Sequence, residues 1–234
     1  MNNELRTTNS ELSVAMTVDV VLFTIREKKL AVLLVRRVKD PFAGVWALPG
    51  GFVERDESVD SAALRELQEE TNVSRVYLEQ LYTFGDPDRD PRGRIITVAY
   101  YALINWENFK LRVRTDASEA KWFPVQELPK LAFDHREIIR YALERLQNKV
   151  NYTTICFQLL PKKFTLSELQ QAYEIILNQE LDKRNFRKKM IQLHILKDTR
   201  EKKTDGGPQR PAKLYSFTDV RVVKLQEKGI IVPF

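Results

Sequence analysis

The chain has 234 residues, 43% hydrophobic and 30% charged, the balance of a folded globular protein with one large or two small domains. It holds no run of about 18 apolar residues, which excludes a transmembrane helix, and its opening MNNELRTTNSEL lacks the layout of a secretion signal, so a cytoplasmic protein with no membrane partner is expected. The net charge of +6 is lopsided: residues 151–234 carry 16 Lys and Arg against 9 Asp and Glu, which points to a C-terminal domain with a polyanionic partner.

Residues 1–15 are polar and read as a loose arm. Residues 16–25 (MTVDVVLFTI) and 30–38 (LAVLLVRRV) are β-branched runs joined by a short charged REKK, a strand pair. A Pro/Gly loop, KDPFAGVWALPGG, follows over 39–51, with Phe42 and Trp46 expected to pack the loop. A helix is predicted over about 58–71, with Asp56 or Ser58 as the N-cap and Glu57 near the positive end of the helix dipole.

That helix carries Arg65, Glu66, Glu69 and Glu70. At about 100° per residue the three glutamates share one sector, and Ala63, Leu64 and Leu67 take the adjoining one. Like charges three and four residues apart repel, so a helix selected for stability alone would avoid them. The plain reading is a solvated acidic face; the chemical one is a seat for a hard divalent cation, which takes oxygen ligands and bridges to phosphates. Cys156 stands alone and His135 and His194 are far apart, so neither a thiolate nor a histidine metal site is expected.

The spacing favours the chemical reading. Gly51, five residues, Glu57, seven residues, then Arg65-Glu66-Leu67-x-Glu69-Glu70-x-x-Val73 resembles the Nudix box. Asn72 stands where that family has a second glycine, and Asn tolerates the left-handed conformation a helix C-cap needs. The resemblance implies an α/β/α sandwich with a mixed sheet. It also implies a catalytic set of Glu57, Arg65, Glu66, Glu69 and Glu70, with Arg65 orienting a carboxylate. Mg²⁺ or Mn²⁺ would sit on Glu66, Glu69, Glu70 and a carbonyl of Gly50 or Gly51.

Residues 76–83 and 95–104 read as two further strands. The connection FGDPDRDPRGR holds Arg89, Arg92 and Arg94. It suits either a solvated turn of internal ion pairs or a guanidinium grip on a diphosphate. Pro87 lies about fifteen residues past the box, where Nudix enzymes acting on ADP-ribose carry a proline, so the resemblance tips this loop towards ligand binding. KWFP at 121–124 reads as a last strand. By the same resemblance the general base is Asp116 or Glu119 from the loop before it, or a carboxylate of the box. Residues 132–150 read as a helix on which Asp134 and Glu137 make a capping-box-like pair and His135 is a structural or interface residue.

In the last third, residues 164–178 (FTLSELQQAYEIILN) read as a helix capped by Thr165 or Ser167. DKRNFRKKMIQLHIL, from Asp182, reads as a second helix, setting Phe186, Met190, Ile191 and Leu193 against Lys183, Arg184, Arg187, Lys188 and Lys189. Residues 195–199 and 212–217 can pair around a basic, glycine-rich REKKTDGGPQRP that includes Arg210. Helix, basic helix and basic hairpin in series are the layout of a winged helix-turn-helix. Double-stranded DNA is the expected partner, with Lys183, Arg184, Asn185, Arg187, Lys188 and Arg210 as contacts; dimerisation is the rival role.

FTLSELQ, LDKRNFRKK and RPAKLYSF, behind a Nudix box, resemble the Nudix-related transcriptional regulators. The resemblance implies a Nudix domain over 1–150 and a winged-helix DNA-binding domain over 151–234. It further implies a homodimer on a palindromic operator, controlling NAD-related metabolism in response to ADP-ribose. With the carboxylates intact, Mg²⁺-dependent ADP-ribose pyrophosphohydrolase activity is expected to survive. The alternatives are an ADP-ribose pyrophosphatase whose last domain only dimerises, and a sugar-responsive regulator with an idle box.

Overall fold

The computed structural model describes residues 13–74, 76, 78–109, 111, 117–203 and 211–218. Asp116 and Arg210 lie outside them.

Among the described residues, seven strands make one mixed sheet: β1 (Ala15–Arg26), β2 (Lys29–Arg37), β3 (Trp46–Ala47), β4 (Gly50–Phe52), β5 (Glu79–Phe84), β6 (Ile95–Leu103) and β7 (Ala117–Pro124). β1 runs parallel to β6, from Ala15 beside Ile95 to Phe23 beside Leu103. The remaining pairs are antiparallel. Alternation along β1 sorts the core. Val18, Val20 and Leu22 meet Ala62, Ala63 and Leu67 of the first helix, α1 (Val59–Thr71). Val21 and Phe23 face Ile138, Ile139 and Ala142 of α2 (His135–Lys149) on the other side. This is the expected α/β/α sandwich, and each fully buried aliphatic side chain in it stabilises by about 1.5–3 kcal/mol.

β1 and β2 do not stay together. They pair only over residues 23–26 and 29–32. Beyond that, β1 takes β4 as its neighbour and β2 takes β3. The 46–52 segment wedges into the parting, which puts Gly50 and Gly51 at a split in the sheet, beneath α1. Its composition predicts a Pro/Gly loop; two short strands lie within it because β1 and β2 each offer an open edge there. β7 is likewise longer than KWFP, since its register with β2 runs from Pro124 back to Ala117.

α1 starts where the polar spacing put it. Ser58 caps it by accepting from the Ser61 amide at 3.1 Å, a bond worth about 1 kcal/mol. Asn72 ends it in the left-handed conformation, φ 62°, with its amide on the Gln68 carbonyl. Leu64 departs from expectation: it is 42% exposed, and Ala62 takes the buried place.

The last third forms the expected winged helix. α3 (Leu166–Leu177) opens with a full capping box between Thr165 and Glu168. α4 (Lys183–Gln192), shorter than predicted, is capped by Asp182. β8 (Leu196–Lys203) and β9 (Ala212–Phe217) pair as the wing. Phe164, Leu169, Tyr173, Phe186, Met190 and Leu193 fill its core, which is continuous with the α2 side of the sheet. Gln147 of α2 also donates to the Ile176 carbonyl of α3 at 3.0 Å. No helix among the described residues is long and apolar enough to cross a membrane.

Candidate functional site

A cleft of about 430 Å³ opens at the split in the sheet. Glu66, Glu69 and Glu70 of α1 line it with Arg65, Gly50 and Gly51, and Arg89 and Arg92 enter from the turn before β6.

Arg65 organises the box carboxylates. Its Nε and Nη2 donate to the two Glu57 oxygens at 3.0 and 2.5 Å, Nη1 to Glu66 at 2.8 Å, and Nη2 also to the Phe52 carbonyl at 3.1 Å. Glu69 lies 3.6 Å from the same guanidinium. The Arg65 bonds, with the Glu54 amide, hold the Glu57 carboxyl down to about 2. The same pairing raises the Arg65 guanidinium above its ordinary value. Glu66 goes the other way: burial, and after it the charge of Glu69, pushes its carboxyl up against the pull of Arg65. Glu70 is buried, and one of its oxygens accepts the Gly50 amide at 3.0 Å.

Both glycines sit where a Cβ would meet a neighbour, backbone at Gly50 and a side-chain end at Gly51. A Cβ on Gly51 would stand 2.3 Å from a Glu66 carboxylate oxygen, and one on Gly50 would stand 2.1 Å from the Val18 carbonyl. The carboxylates therefore sit directly against the backbone turn.

Behind this turn lies a buried polar network that the sequence reading missed. Asp19 of β1, 6% exposed, accepts from Thr97 at 2.7 Å and lies 3.3 Å from Nε2 of His135. Nδ1 of His135 accepts the Leu48 amide at 2.8 Å, so the proton is on Nε2, facing Asp19. Burial alone would raise the Asp19 carboxyl; its contacts with His135, Thr97 and Arg89 outweigh that and hold it below its ordinary value. An aspartate inside a β-branched strand was the signal for this network. Arg37, Phe52 and Phe133 also line the cleft and were not among the expected residues.

The expected arginines divide. Arg89 is 8% exposed and held by Asp134, with Asp19 3.6 Å away. Arg92 binds Asp90 at the cleft mouth. Arg94 turns aside to the Gly85 carbonyl and lines no part of the cleft, and Pro87 sits in an exposed turn outside it. The turn is thus both an internal ion-pair cluster and a cleft wall. Asp134 caps α2 without a side-chain bond, so the expected capping box with Glu137 does not form; Asp134 is taken by Arg89. Glu119 is on β7 beside Arg36 and away from the cleft, leaving the box carboxylates as the described candidates for a base.

A hard divalent cation suits this donor set in kind and place. The three glutamates share one wall with the glycine turn, and carboxylate and carbonyl oxygens are the ligands such a cation takes. As the side chains stand, no three His, Cys, Asp or Glu groups converge as a metal cage among the described residues, and Arg65 supplies the positive charge.

On the winged helix, Lys183, Arg184, Asn185 and Lys188 of α4 are exposed. Arg187 is not fully so: its Nη2 donates to Ser167 of α3 at 3.2 Å. Ile191, expected in the core, is 55% exposed and follows Arg184 and Lys188 at helical spacing on the open face.

Comparison with known proteins agrees with both halves. Residues 15–142 match the NUDIX domain and residues 156–217 the NrtR DNA-binding winged helix domain. The chain is 41% identical over 206 residues to the ADPR responsive transcriptional repressor NtrR of Acinetobacter baylyi, covering 86% of this chain and 81% of that one. It is 43% identical over 114 residues to an ADP-ribose pyrophosphatase of Methanocaldococcus jannaschii, covering 49% of this chain and 66% of that one. In structure it is similar to Shewanella oneidensis NrtR complexed with a 27mer DNA, with a TM-score of 0.75 at 39% identity, over 89% of this chain and 99% of that one. The chain belongs to the Nudix family, in the branch that joins a Nudix domain to an NrtR-type DNA-binding winged helix.

Proposed function

We propose that this protein is a transcriptional repressor of NAD-related metabolism that binds operator DNA through its winged helix and responds to ADP-ribose held in the Nudix cleft. The observation that carries this reading is the presence in one chain of a cleft lined by both arginines and box carboxylates and an exposed basic helix, α4, beside a wing. The name of the Acinetobacter relative and the DNA complex of the Shewanella protein support it. The protein acts as a homodimer, since a palindromic site needs two copies of α4 related by two-fold symmetry. Selection from random duplex DNA tests the reading: the expected result is an enriched palindrome whose binding is altered by ADP-ribose. Failure to enrich any site would leave an ADP-ribose pyrophosphatase with a C-terminal dimerisation domain.

The cleft also retains pyrophosphohydrolase capacity in this reading. Glu66, Glu69 and Glu70, with the Gly50 turn, would hold Mg²⁺ or Mn²⁺. When bound, the ion supplies charge neutralisation of the diphosphate and acidifies an attacking water. Arg65 fixes Glu57 and Glu66, and Arg92 stands at the mouth to meet a phosphate. Glu70→Gln keeps an acceptor for the Gly50 amide while removing charge, so it separates chemistry from folding. Turnover of ADP-ribose with Mg²⁺ in the wild type, lost in Glu70→Gln, is the expected result. Binding without turnover in the wild type would make the cleft a sensor alone.

A further inference from the structure

The turn over residues 48–50 joins β3 to β4 across the split in the sheet, and it is held from two sides. The Val20 amide of β1 donates to the Pro49 carbonyl at 2.8 Å. The Leu48 amide donates to Nδ1 of His135, at the start of α2, also at 2.8 Å. Just upstream, the Ala132 amide bonds the Trp46 carbonyl, so the chain leading into α2 grips β3 and the turn together. Pro49 has no N–H to give, which leaves the Leu48 amide as the donor that ties the turn to α2.

Register fixes where the turn points. Thr17 lies beside Phe52, Val18 beside Gly51 and Asp19 beside Gly50. Along an antiparallel strand, successive residues turn their backbone groups to opposite sides. The bonds from Val20 to Pro49 and from Val53 to Met16 put residues 49, 51 and 53 on the β1 side. Gly50 and Phe52 therefore turn their amide and carbonyl the other way. The Gly50 amide meets Glu70 there, and the Phe52 carbonyl meets Arg65. The Gly50 carbonyl is thus delivered to the side of the box carboxylates, an oxygen of the kind a hard divalent cation takes.

His135 is 4% exposed, and both of its ring nitrogens are engaged. Asp19 lies 3.3 Å from Nε2 and faces the ring N–H there, which leaves Nδ1 to accept from Leu48. Asp19 is fixed in turn by Thr97 and Arg89, and its Oδ1 lies 3.0 Å from the place a Gly50 Cβ would occupy. Burying a carboxylate carries a desolvation cost, and a well-packed apolar pair often replaces such groups without loss of stability. Stability alone gives no reason for this pair beneath the turn, whereas the placing of the turn does. We propose that His135 is a positioning residue for the cation-dependent chemistry of the cleft: with its tautomer set by Asp19, it fixes the Leu48 amide and so the placement of the Gly50 carbonyl against Glu70. This role deepens the proposed pyrophosphohydrolase capacity and rests on it. Arg65 orders the carboxylates from α1, and the Asp19–His135 pair orders the carbonyl from the α2 side, so the oxygen donors are set in place before a cation arrives.

The test uses the full chain and reads Mn²⁺ binding by itself, by electron paramagnetic resonance of the free ion, beside kcat and KM for ADP-ribose with Mg²⁺. His135→Phe keeps a ring and removes both bonds. In His135→Gln the amide oxygen accepts from Leu48 while the NH₂ donates to Asp19. Leu146→Ala, a truncation on the buried face of α2 outside the cleft, is the control for lost stability. His135→Phe is expected to weaken Mn²⁺ by about tenfold or more and to lower kcat to a similar degree. KM should stay within about twofold, and His135→Gln should recover most of both losses. Should His135→Phe not fold, His135→Asn, too short to span both partners, takes its place against His135→Gln. Unchanged Mn²⁺ affinity and kcat in a folded His135→Phe of lower melting temperature would overturn the role and leave the hydrolase reading standing. So would equal losses in Leu146→Ala, which would tie them to stability, and a raised KM at constant kcat, which would tie them to ligand binding. Wild-type protein that neither binds Mn²⁺ nor turns over ADP-ribose would remove the role and the hydrolase reading together.

Discussion

Arg89 and Asp134, 45 residues apart in sequence, meet through two parallel hydrogen bonds of 2.8 and 2.7 Å, with the Arg89 side chain 3% exposed. The pair joins the turn before β6 to the start of α2. Removing Asp134 takes both hydrogen bonds from a buried guanidinium and leaves it Asp19 at 3.6 Å, a loss of about 3 kcal/mol. Asp134→Ala should therefore lower the thermal midpoint by about 6–12 °C or more. Arg89→Lys should not restore it, because a point charge cannot reproduce the two-pronged contact. Thermal melts of the two variants decide this; an Asp134→Ala midpoint at the wild-type value would show that the pair does not hold α2 in place.

The two glycines of the turn should respond differently to the same methyl group. In Gly50→Ala the new carbon meets backbone, the Val18 carbonyl at 2.1 Å, so β1 and β4 must separate. A loss of about 2–4 kcal/mol is expected in denaturant unfolding. In Gly51→Ala it meets the end of the Glu66 side chain at 2.3 Å, which can swing away. Stability should then stay within about 1 kcal/mol, while the displaced carboxylate lowers Mg²⁺-dependent turnover of ADP-ribose by about tenfold or more. Equal losses of stability in the two variants would mean that Glu66 is not free to move.

Glu57 gives a pH signature. Its carboxyl falls from the ordinary 4.5 to about 2 in the folded protein, first because of the Arg65 hydrogen bonds. A group with a depressed folded value contributes stability that is complete above the unfolded value and is lost as pH falls through the folded one. The midpoint difference between wild type and Glu57→Gln should thus be full above about pH 4.5 and close towards about pH 2. A difference that stays constant through that window would show that Arg65 does not bind Glu57 as a carboxylate.

The box could be read from sequence because its parts are local. Glu66, Glu69 and Glu70 share one helix face, and the fixed steps back to Glu57 and Gly51 cross one turn. The winged helix was equally open to reading, since caps at Thr165 and Asp182 mark both helices. What stayed hidden depends on residues distant in sequence. Asp134 resembles a cap and serves as a partner for Arg89. Asp19, Thr97 and His135 meet only because β1 lies beside β6 with α2 behind them. Helical periodicity places Arg187 with the basic face and Ile191 with the core, whereas Arg187 donates to Ser167 of α3 and Ile191 is 55% exposed.

That reversal is measurable on DNA. Each lysine or arginine that neutralises a phosphate releases a counterion, so the slope of log affinity against log salt falls by about 0.9 when that contact is removed. Lys183→Ala, Arg184→Ala and Lys188→Ala remove exposed charges of α4 and should each flatten the slope by about that amount on a selected duplex. Arg187→Ala should leave the slope unchanged and lower thermal stability, because its guanidinium is bonded to Ser167 of α3 and the residue is half-buried. Fluorescence anisotropy over a range of potassium chloride concentrations separates the two behaviours. A flattened slope in Arg187→Ala would mean that the arginine leaves Ser167 for a phosphate on binding, and an unchanged slope in all of the others would turn the basic face of α4 away from DNA.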